Sequence, residues 1–309
     1  MRISVILHGN LRTFFMPLRE NPHLRVCDLI RSNIVEHNMA DVFLVTDTTD
    51  FYYEGTQYFN DKNEVVDMYE SMPNVKDTFE NVDDFVSKSS MFYSSIGFMP
   101  EHEAMRLLST EIDKFFKGAV KSIEVRNVVD VRVDPKFVLL SQHALAGCSP
   151  ARIVNQYRKI KTAYNLMQQY ESKNFCYDVV FRGRFDNAAD QKRPLKICSY
   201  NFQAYDIFVP GIAPPFIYDW SAFGNRRAMG LVLCLYDQLG STISDRIFRC
   251  ECQKCHTVSC GQKSECKCGG EMKYSEYTLS SEYHLYKMLM DNKMKVSPSC
   301  YPMSPYRYR

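Results

Sequence analysis

The chain has 309 residues, of which 45% are hydrophobic and 24% charged, the composition of a soluble globular protein. That length allows one large α/β domain with an insertion, or two small domains. A net charge of +2 without a dense lysine and arginine block gives no electrostatic sign of a nucleic-acid partner. The first apolar run, residues 3–7, is too short for a secretory signal, and no run reaches the length of a membrane span. We therefore expect a cytoplasmic protein.

The N-terminal segments predict the start of a parallel sheet. A buried strand over residues 3–7, a helix over 27–39 and a second buried strand over 41–47 make a βαβ unit. Ligands of such sheets bind at the carboxyl ends of the strands. The candidate donor-binding residues at this edge are Gly9, Arg12, Thr46 and Asp47.

The middle of the chain changes character twice. Residues 48–99 lose the apolar period and become acidic, which predicts an insertion or flap with a solvated surface. A helix over 101–116 and a strand near 122–131 are predicted next. Ser149 and Pro150 then signal the start of a long helix. Gln156 and Lys159 flank its apolar stripe and are further donor-binding candidates, although the pattern favours a solvated surface position for both.

Residues 177–186 are the most informative segment, because a buried strand ends there in three charges. Side chains alternate along a strand, so Arg182, Arg184 and Asp186 are expected on one face and the phenylalanines on the other. Such a group is costly near a core unless an anion or a bridging metal ion lies in front of it. A nucleoside diphosphate with a divalent cation would suit the pattern. An edge strand with internal ion pairs is the alternative.

The C-terminal part carries two candidate acids. Asp219 lies in a predicted loop where it could accept a proton from a hydroxyl, or simply form a turn. A long helix is predicted after Asn225, and a final helix over 281–292 places Glu282 on its inward face, where complementing the helix dipole is the alternative role. Residues 297–309 are expected as a surface tail.

Six of the twelve cysteines fall between residues 250 and 268, which favours a metal site over disulfide bonds. A Cys-x2-Cys turn lets two thiolates meet one Zn²⁺, and a second short pair completes a tetrahedral, structural site. We predict zinc ligation within residues 249–272 by Cys252, Cys255, Cys266 and Cys268. The spacing also allows three alternative ligands, which are Cys250, Cys260 and His256. A Cys-rich loop, redox-active or not, is the alternative to zinc.

Six motifs occur in an order that is typical of one enzyme family. They are HGNLRTF at 8–14, DVFLVT at 41–46, QYxKI at 156–160, YDVVFRxRxD at 177–186, DxxAFG at 219–224 and SEYHL at 281–285. In this order the chain resembles the GT-A-type glycosyltransferases of surface-polysaccharide clusters and large DNA viruses. The resemblance covers most of the chain apart from the acidic region and the cysteine block.

The resemblance implies a single GT-A-like domain, a Rossmann-type α/β fold, with a sugar nucleotide near Gly9 and Arg12. Asp186 would take the family's metal-binding position for Mn²⁺ or Mg²⁺. The loop at Gly224 would face the acceptor, and Glu282 would touch the acceptor or the base. In the family's Asp-x-Asp motif the first acid is replaced here by arginine, so either the arginines take over part of the metal's role or the site is altered or inactive.

We therefore expect transfer of a sugar from a UDP- or GDP-linked donor to a hydroxyl of a saccharide or other acceptor. Arg182 and Arg184 would stabilise the leaving diphosphate, and Asp219 or Glu282 would orient or deprotonate the acceptor. One alternative is a non-enzymatic adaptor that uses the zinc knuckle to bind protein or nucleic acid on an inactive scaffold. A phosphohydrolase with the same arginines lacks an evident nucleophile motif.

Overall fold

A computed structural model describes residues 1–9, 17–18, 21–47, 101–126, 134–136, 150–185, 187–188, 193–214, 216–239, 247–250, 258–260, 272–275, 281–301 and 304–305. The acidic region at 48–99 lies outside these residues. Across the described ranges, no helix combines the length and the apolar character that crossing a membrane requires.

The α-helices are α1 (Val26–Ile30), α2 (Glu101–Phe115), α3 (Pro150–Glu171), α4 (Arg226–Leu233), α5 (Leu235–Gln238) and α6 (Ser281–Asp291). A π-helical turn, Arg31–Glu36, follows α1, and a 3-10 turn spans Ile197–Ser199. The strands up to the middle of the chain are β1 (Ile3–His8), β2 (Pro17–Leu18), β3 (Asn21–Arg25), β4 (Asp41–Asp47), β5 (Val120–Arg126), β6 (Val179–Arg184), β7 (Asn187–Ala188) and β8 (Ile207–Val209). The later strands are β9 (Ile212–Ala213), β10 (Phe216–Ile217), β11 (Ser221–Asn225), β12 (Ile247–Cys250), β13 (Val258–Cys260), β14 (Met272–Ser275), β15 (Val296–Pro298) and β16 (Ser304–Pro305).

Among the described residues, seven strands form the main sheet, in the order β15-β8-β11-β6-β1-β4-β5. β1 runs parallel to both β4 and β6, β4 runs parallel to β5, and β15 runs parallel to β8. β11 pairs with β8 in the antiparallel direction. The α/β class with a mostly parallel sheet and flanking helices, predicted from the sequence, is confirmed.

The helix signals in the sequence correspond to observed packing. α3 begins at Pro150, and its predicted stripe is buried. The members of that stripe are Ile153, Tyr157, Ile160, Tyr164 and Met167. At the start of α4, the Asn225 side chain accepts a hydrogen bond of 2.8 Å from the backbone N–H of Ala228, which confirms the predicted N-cap.

Two predicted helices differ from the structure. The helix expected over 27–39 is α-helical only to Ile30 and continues as the π-helical turn. In this segment the Ser32 hydroxyl donates to the Asp28 carbonyl, and the Asn38 side-chain amide donates to the Ile34 carbonyl. These side-chain donors compete with the backbone N–H groups that bond to such carbonyls in a regular α-helix. The long helix expected after Asn225 is interrupted at residue 234 and forms α4 and α5.

The segment around Gly224 is not a loop. Residues 221–225 form β11, and Gly224 pairs with Ile207 of β8. A Cβ atom at Gly224 would overlap the backbone carbonyl of Asp206, so the glycine allows two strands to approach closely. The predicted surface tail also contributes strands: β15 pairs with β8, and β16 pairs with β7.

The chain forms two compact units. Unit 1 comprises Met1–Val129, Thr162–Tyr200 and Tyr301–Arg309. Unit 2 comprises Asp130–Lys161 and Asn201–Cys300. The single domain expected from the sequence stays a prediction.

Candidate functional site

In unit 1, the turn after β1 lies at the carboxyl edge of the parallel strands. Gly9 has φ +112°, a conformation that favours glycine. The Thr46 hydroxyl of β4 donates a hydrogen bond of 3.1 Å to the Gly9 carbonyl and so fixes the turn to the neighbouring strand. No atom of the described residues lies within 4 Å of the point where a Cβ of Gly9 would stand. The backbone at this edge can therefore be approached closely.

Beside this turn, a buried arginine is hydrogen-bonded to a buried histidine. Arg182 is 0% exposed and His8 is 1% exposed. Arg182 donates from Nε to His8 Nε2 over 3.0 Å. Because Nε2 accepts, the imidazole is the neutral tautomer with its proton on Nδ1. The neutral ring thus orients the guanidinium without cancelling its charge.

The strand register explains why the two arginines lie at this edge. In the parallel pairing of β1 with β6, His8 is opposite Arg184 and Ile6 is opposite Arg182. Ser4 occupies the same face of β1, and its hydroxyl donates to the Met167 sulfur of α3 over 3.0 Å. The face that carries the arginines is therefore the one that α3 covers.

Gly183 separates the two arginines for a packing reason. A Cβ atom there would lie 2.8 Å from the ring of Phe181, closer than carbon atoms pack. Phe181 and Phe185 are both buried, but Arg182 on the opposite face is buried as well, and β6 lies between β11 and β1, so the alternative of an edge strand is wrong. Arg182 is fully buried and Arg184 is half-buried, so the second arginine remains within reach of solvent.

Unit 2 holds the candidate acids next to α3. Asp219 is 5% exposed, and its Oδ2 accepts a hydrogen bond of 2.7 Å from Nε2 of Gln156. The adjacent Tyr157 donates its hydroxyl proton to the Ser281 carbonyl over 2.9 Å. Since Ser281 begins α6, this bond ties the first turn of α6, which contains Glu282, to α3.

Lys159 and Glu282 differ in exposure. Lys159 is 3% exposed, so the solvated position that the sequence favoured for it is wrong. The neighbouring helix positions Val154 and Ala163 are also 0% exposed, which shows that α3 is buried over more than one stripe. Glu282 is half-buried in the first turn of α6.

Two further residues were missed by the sequence reasoning. His8 was recognised only as part of a motif, because its bond to Arg182 depends on the pairing of strands 174 residues apart. Tyr218 is 39% exposed, and its ring stacks on Trp220 with centroids 4.5 Å apart and planes 14° apart. The pattern of two aromatic residues on either side of Asp219 was a signal that could have drawn attention to this stack.

Several predicted site residues lie outside the described residues. They are Arg12, Asp186, His256, Cys252, Cys255, Cys266 and Cys268. For Asp47, Cys250 and Cys260 the backbone is described as strand. Among the side chains that are described, no group of three or more His, Cys, Asp or Glu residues could hold a metal ion.

The clusters therefore separate by unit. Gly9, Thr46, Arg182 and Arg184 belong to unit 1, whereas Gln156, Lys159, Asp219 and Glu282 belong to unit 2. Comparison of the sequence with protein-family models gives no match. Comparison with curated proteins likewise gives no significant match.

Proposed function

We propose that the protein is a glycosyltransferase with a GT-A-like fold that moves a sugar from a nucleotide-sugar donor to a hydroxyl acceptor. The observation that carries the proposal is the cluster at the carboxyl edge of β1, β4 and β6. There a glycine turn, beside which no atom of the described residues lies within 4 Å of a Cβ position, adjoins two arginines, one of them held by His8. Ligands of open parallel sheets bind at such an edge.

The arginines suit the charge that develops in the reaction. The acceptor oxygen forms a bond to the anomeric carbon, and the bond from that carbon to the diphosphate breaks, leaving its electron pair on the diphosphate. Arg184, which is half-buried, would pair with the phosphate oxygens of this leaving group, and the fully buried Arg182 would add positive charge behind it. Gly9, Arg12, Thr46 and Asp47 would line the donor side in unit 1, and the ligand contacts predicted for Gln156 and Lys159 of unit 2 stay predictions. A divalent ion bound by Asp186 would add positive charge near the leaving diphosphate. The stabilisation proposed here nevertheless depends on the two arginines.

The acceptor proton needs a base, and the two candidate acids differ in access. Asp219 is buried and already accepts from Gln156, so we assign it the role of orienting the acceptor side of the site. Glu282 is half-buried on the first turn of α6, so we assign it the role of general base, which accepts the proton of the acceptor hydroxyl.

The donor half of the proposal is tested by calorimetry of UDP and GDP, each with and without Mn²⁺. We expect Arg184→Ala to weaken binding by about tenfold or more, the range for a charge-assisted hydrogen bond. Arg106→Ala, an exposed arginine on α2, is the matched control and should bind like the wild type. Equal binding by wild type and Arg184→Ala would remove Arg184 from the mechanism.

The activity itself is tested by a hydrolysis screen across UDP- and GDP-linked sugars. Turnover of one donor, and its loss in Arg184→Ala, is the expected result. If no sugar nucleotide binds or turns over, the enzyme proposal is wrong, and the non-enzymatic adaptor becomes the better explanation of the chain.

We also propose that a structural zinc ion lies at one end of the small sheet β13-β12-β14. Cys250 of β12 pairs with Met272 of β14, while Arg249 pairs with Val258 of β13. The described residues that border 251–257, which are 250 and 258, and residue 272, which follows 261–271, all lie at this end of the sheet. These segments contain the predicted ligands Cys252, Cys255, Cys266 and Cys268.

The same register constrains the alternative ligands. Cys260 pairs with Ile247, three residues from Cys250 along β12. Three residues of strand span about 10 Å, so the backbones of Cys250 and Cys260 lie at opposite ends of the ladder. At most one of these two cysteines can therefore bind the proposed zinc ion.

Metal analysis of the purified chain should give one zinc per molecule. Cys255→Ser should lose the zinc, whereas Cys176→Ser, an exposed cysteine of unit 1, should keep it. A chain that folds with no bound zinc would contradict this proposal.

A further inference from the structure

We propose that the Tyr218 ring, covered on one face by Trp220, binds a pyranose ring of the acceptor on its other face and so forms an aromatic platform. This inference rests on the proposed glycosyltransferase function and names its acceptor as a saccharide. The two rings stack with centroids 4.5 Å apart and planes 14° apart. Tyr218 is nevertheless 39% exposed, one of the few large apolar side chains of the described residues that remain open to solvent.

The platform is held rigidly by the hairpin of β9 and β10. Ile217 pairs with Ile212, and Tyr218 donates its backbone N–H to the Gly211 carbonyl over 3.1 Å. A Cβ atom at Gly211 would lie 2.6 Å from Cδ2 and 2.7 Å from Cε2 of Tyr218, so this edge of the ring lies against Gly211. Little conformational freedom remains to be lost when a ligand binds.

Asp219 anchors the segment between the two rings. Its carboxylate is buried and accepts from Gln156 of α3, while the Tyr218 ring next to it is exposed. The backbone of the segment is thus fixed at its centre, and the aromatic side chain is displayed on a supported surface. A site that is rigid before the ligand arrives favours affinity.

A pyranose ring has the matching chemistry. One face of the sugar presents C–H groups that pack on an aromatic face, and its edge presents hydroxyls that need polar partners. The Tyr218 hydroxyl offers such a partner. The same hairpin adjoins α6, because the rings of Phe216 and Tyr283 lie 6.4 Å apart. The platform is therefore in the same unit as Glu282, the residue proposed to take the acceptor proton.

The chain supplies its own probe, because Trp220 is its sole tryptophan. Tryptophan emission is recorded while methyl glucopyranoside, methyl galactopyranoside, methyl mannopyranoside and the corresponding disaccharides are titrated. The platform predicts a saturable change for at least one of these sugars. The absence of a saturable change with every sugar would overturn the inference.

Variants locate the binding. Tyr218→Ala should weaken the affinity by about two- to tenfold, the range of one ring contact, and Tyr218→Phe should retain most of it. Gly211→Ala should weaken it as well, because the new methyl group displaces the ring without removing it. Tyr205→Ala, a tyrosine of the same unit that is 42% exposed, is the control and should bind normally. Equal affinities for wild type, Tyr218→Ala and Gly211→Ala would overturn the inference.

The failure of this inference can be distinguished from failure of the proposed function. Hydrolysis of the donor uses water as acceptor, so Tyr218→Ala should keep it, while transfer to a sub-saturating glycoside should fall by about two- to tenfold. If the wild type hydrolyses no donor, the glycosyltransferase proposal fails, and the fluorescence titration still decides whether the platform binds sugar. If hydrolysis and transfer both survive in Tyr218→Ala, the platform is not the acceptor site.

Discussion

The bond between Gln156 and Asp219 can be tested by its effect on stability. Gln156→Leu keeps a similar volume but removes the donor to a carboxylate that is 5% exposed and 2.7 Å away. A hydrogen bond to a charged group contributes about 1.5–3 kcal/mol. With a urea m-value of about 3 kcal/mol per molar, the unfolding midpoint should fall by about 0.5–1 M.

The matched control lies on the same helix. Gln168 is exposed on α3, so Gln168→Leu should change the free energy of unfolding by less than about 0.5 kcal/mol. Both variants are compared with the wild type by urea titration followed by far-UV circular dichroism. If Gln156→Leu and Gln168→Leu unfold at the same midpoint, the bond does not anchor Asp219, and the rigid support inferred for the aromatic platform is also lost.

Three further predictions concern catalysis, packing and reactivity. Glu282→Gln should lower sugar transfer by about 100-fold or more, as expected for loss of a general base; Asp219→Asn keeps an acceptor oxygen and should lower it less. Gly224→Ala should lower the free energy of unfolding by about 3 kcal/mol or more, because its methyl group would overlap the carbonyl of Asp206. Burial raises the pKa of the Cys27 thiol to about 12, so at pH 8 the native protein should not react with iodoacetamide at this position, whereas exposed cysteines should.

Each of these predictions has a contrary outcome. Transfer that falls further in Asp219→Asn than in Glu282→Gln would exchange the roles assigned to the two acids. A Gly224→Ala protein with wild-type stability would show that β8 and β11 separate at no cost. Rapid native labelling of Cys27, detected by mass spectrometry of peptides, would show that this thiol is accessible.

The sequence allowed the central strands to be located because they are long apolar runs. Val42 to Val45 of β4 are all 0% exposed, and such runs are typical of parallel strands covered on both faces. The start of α4 could also be predicted, because the Asn225 side chain caps the helix through a hydrogen bond to a residue only three positions away. Both signals are local in the sequence.

The site could be predicted only in part, because its contacts join residues that are far apart in the sequence. The bond between His8 and Arg182 depends on which strands are neighbours, and single-sequence patterns do not supply that order. The burial of Lys159 was missed because lysine usually remains solvated. Gly224 suggested a loop, whereas the same residue lets two strands approach closely.

The two margins of the main sheet are formed by β15 and β5. β15 is three residues long and ends in Pro298, which has no backbone N–H to offer a further strand. β5 carries Lys121 and Glu124, whose charges would have to be desolvated if another chain were added alongside. Both margins thus discourage lengthening of the sheet, which protects the protein against aggregation by strand addition.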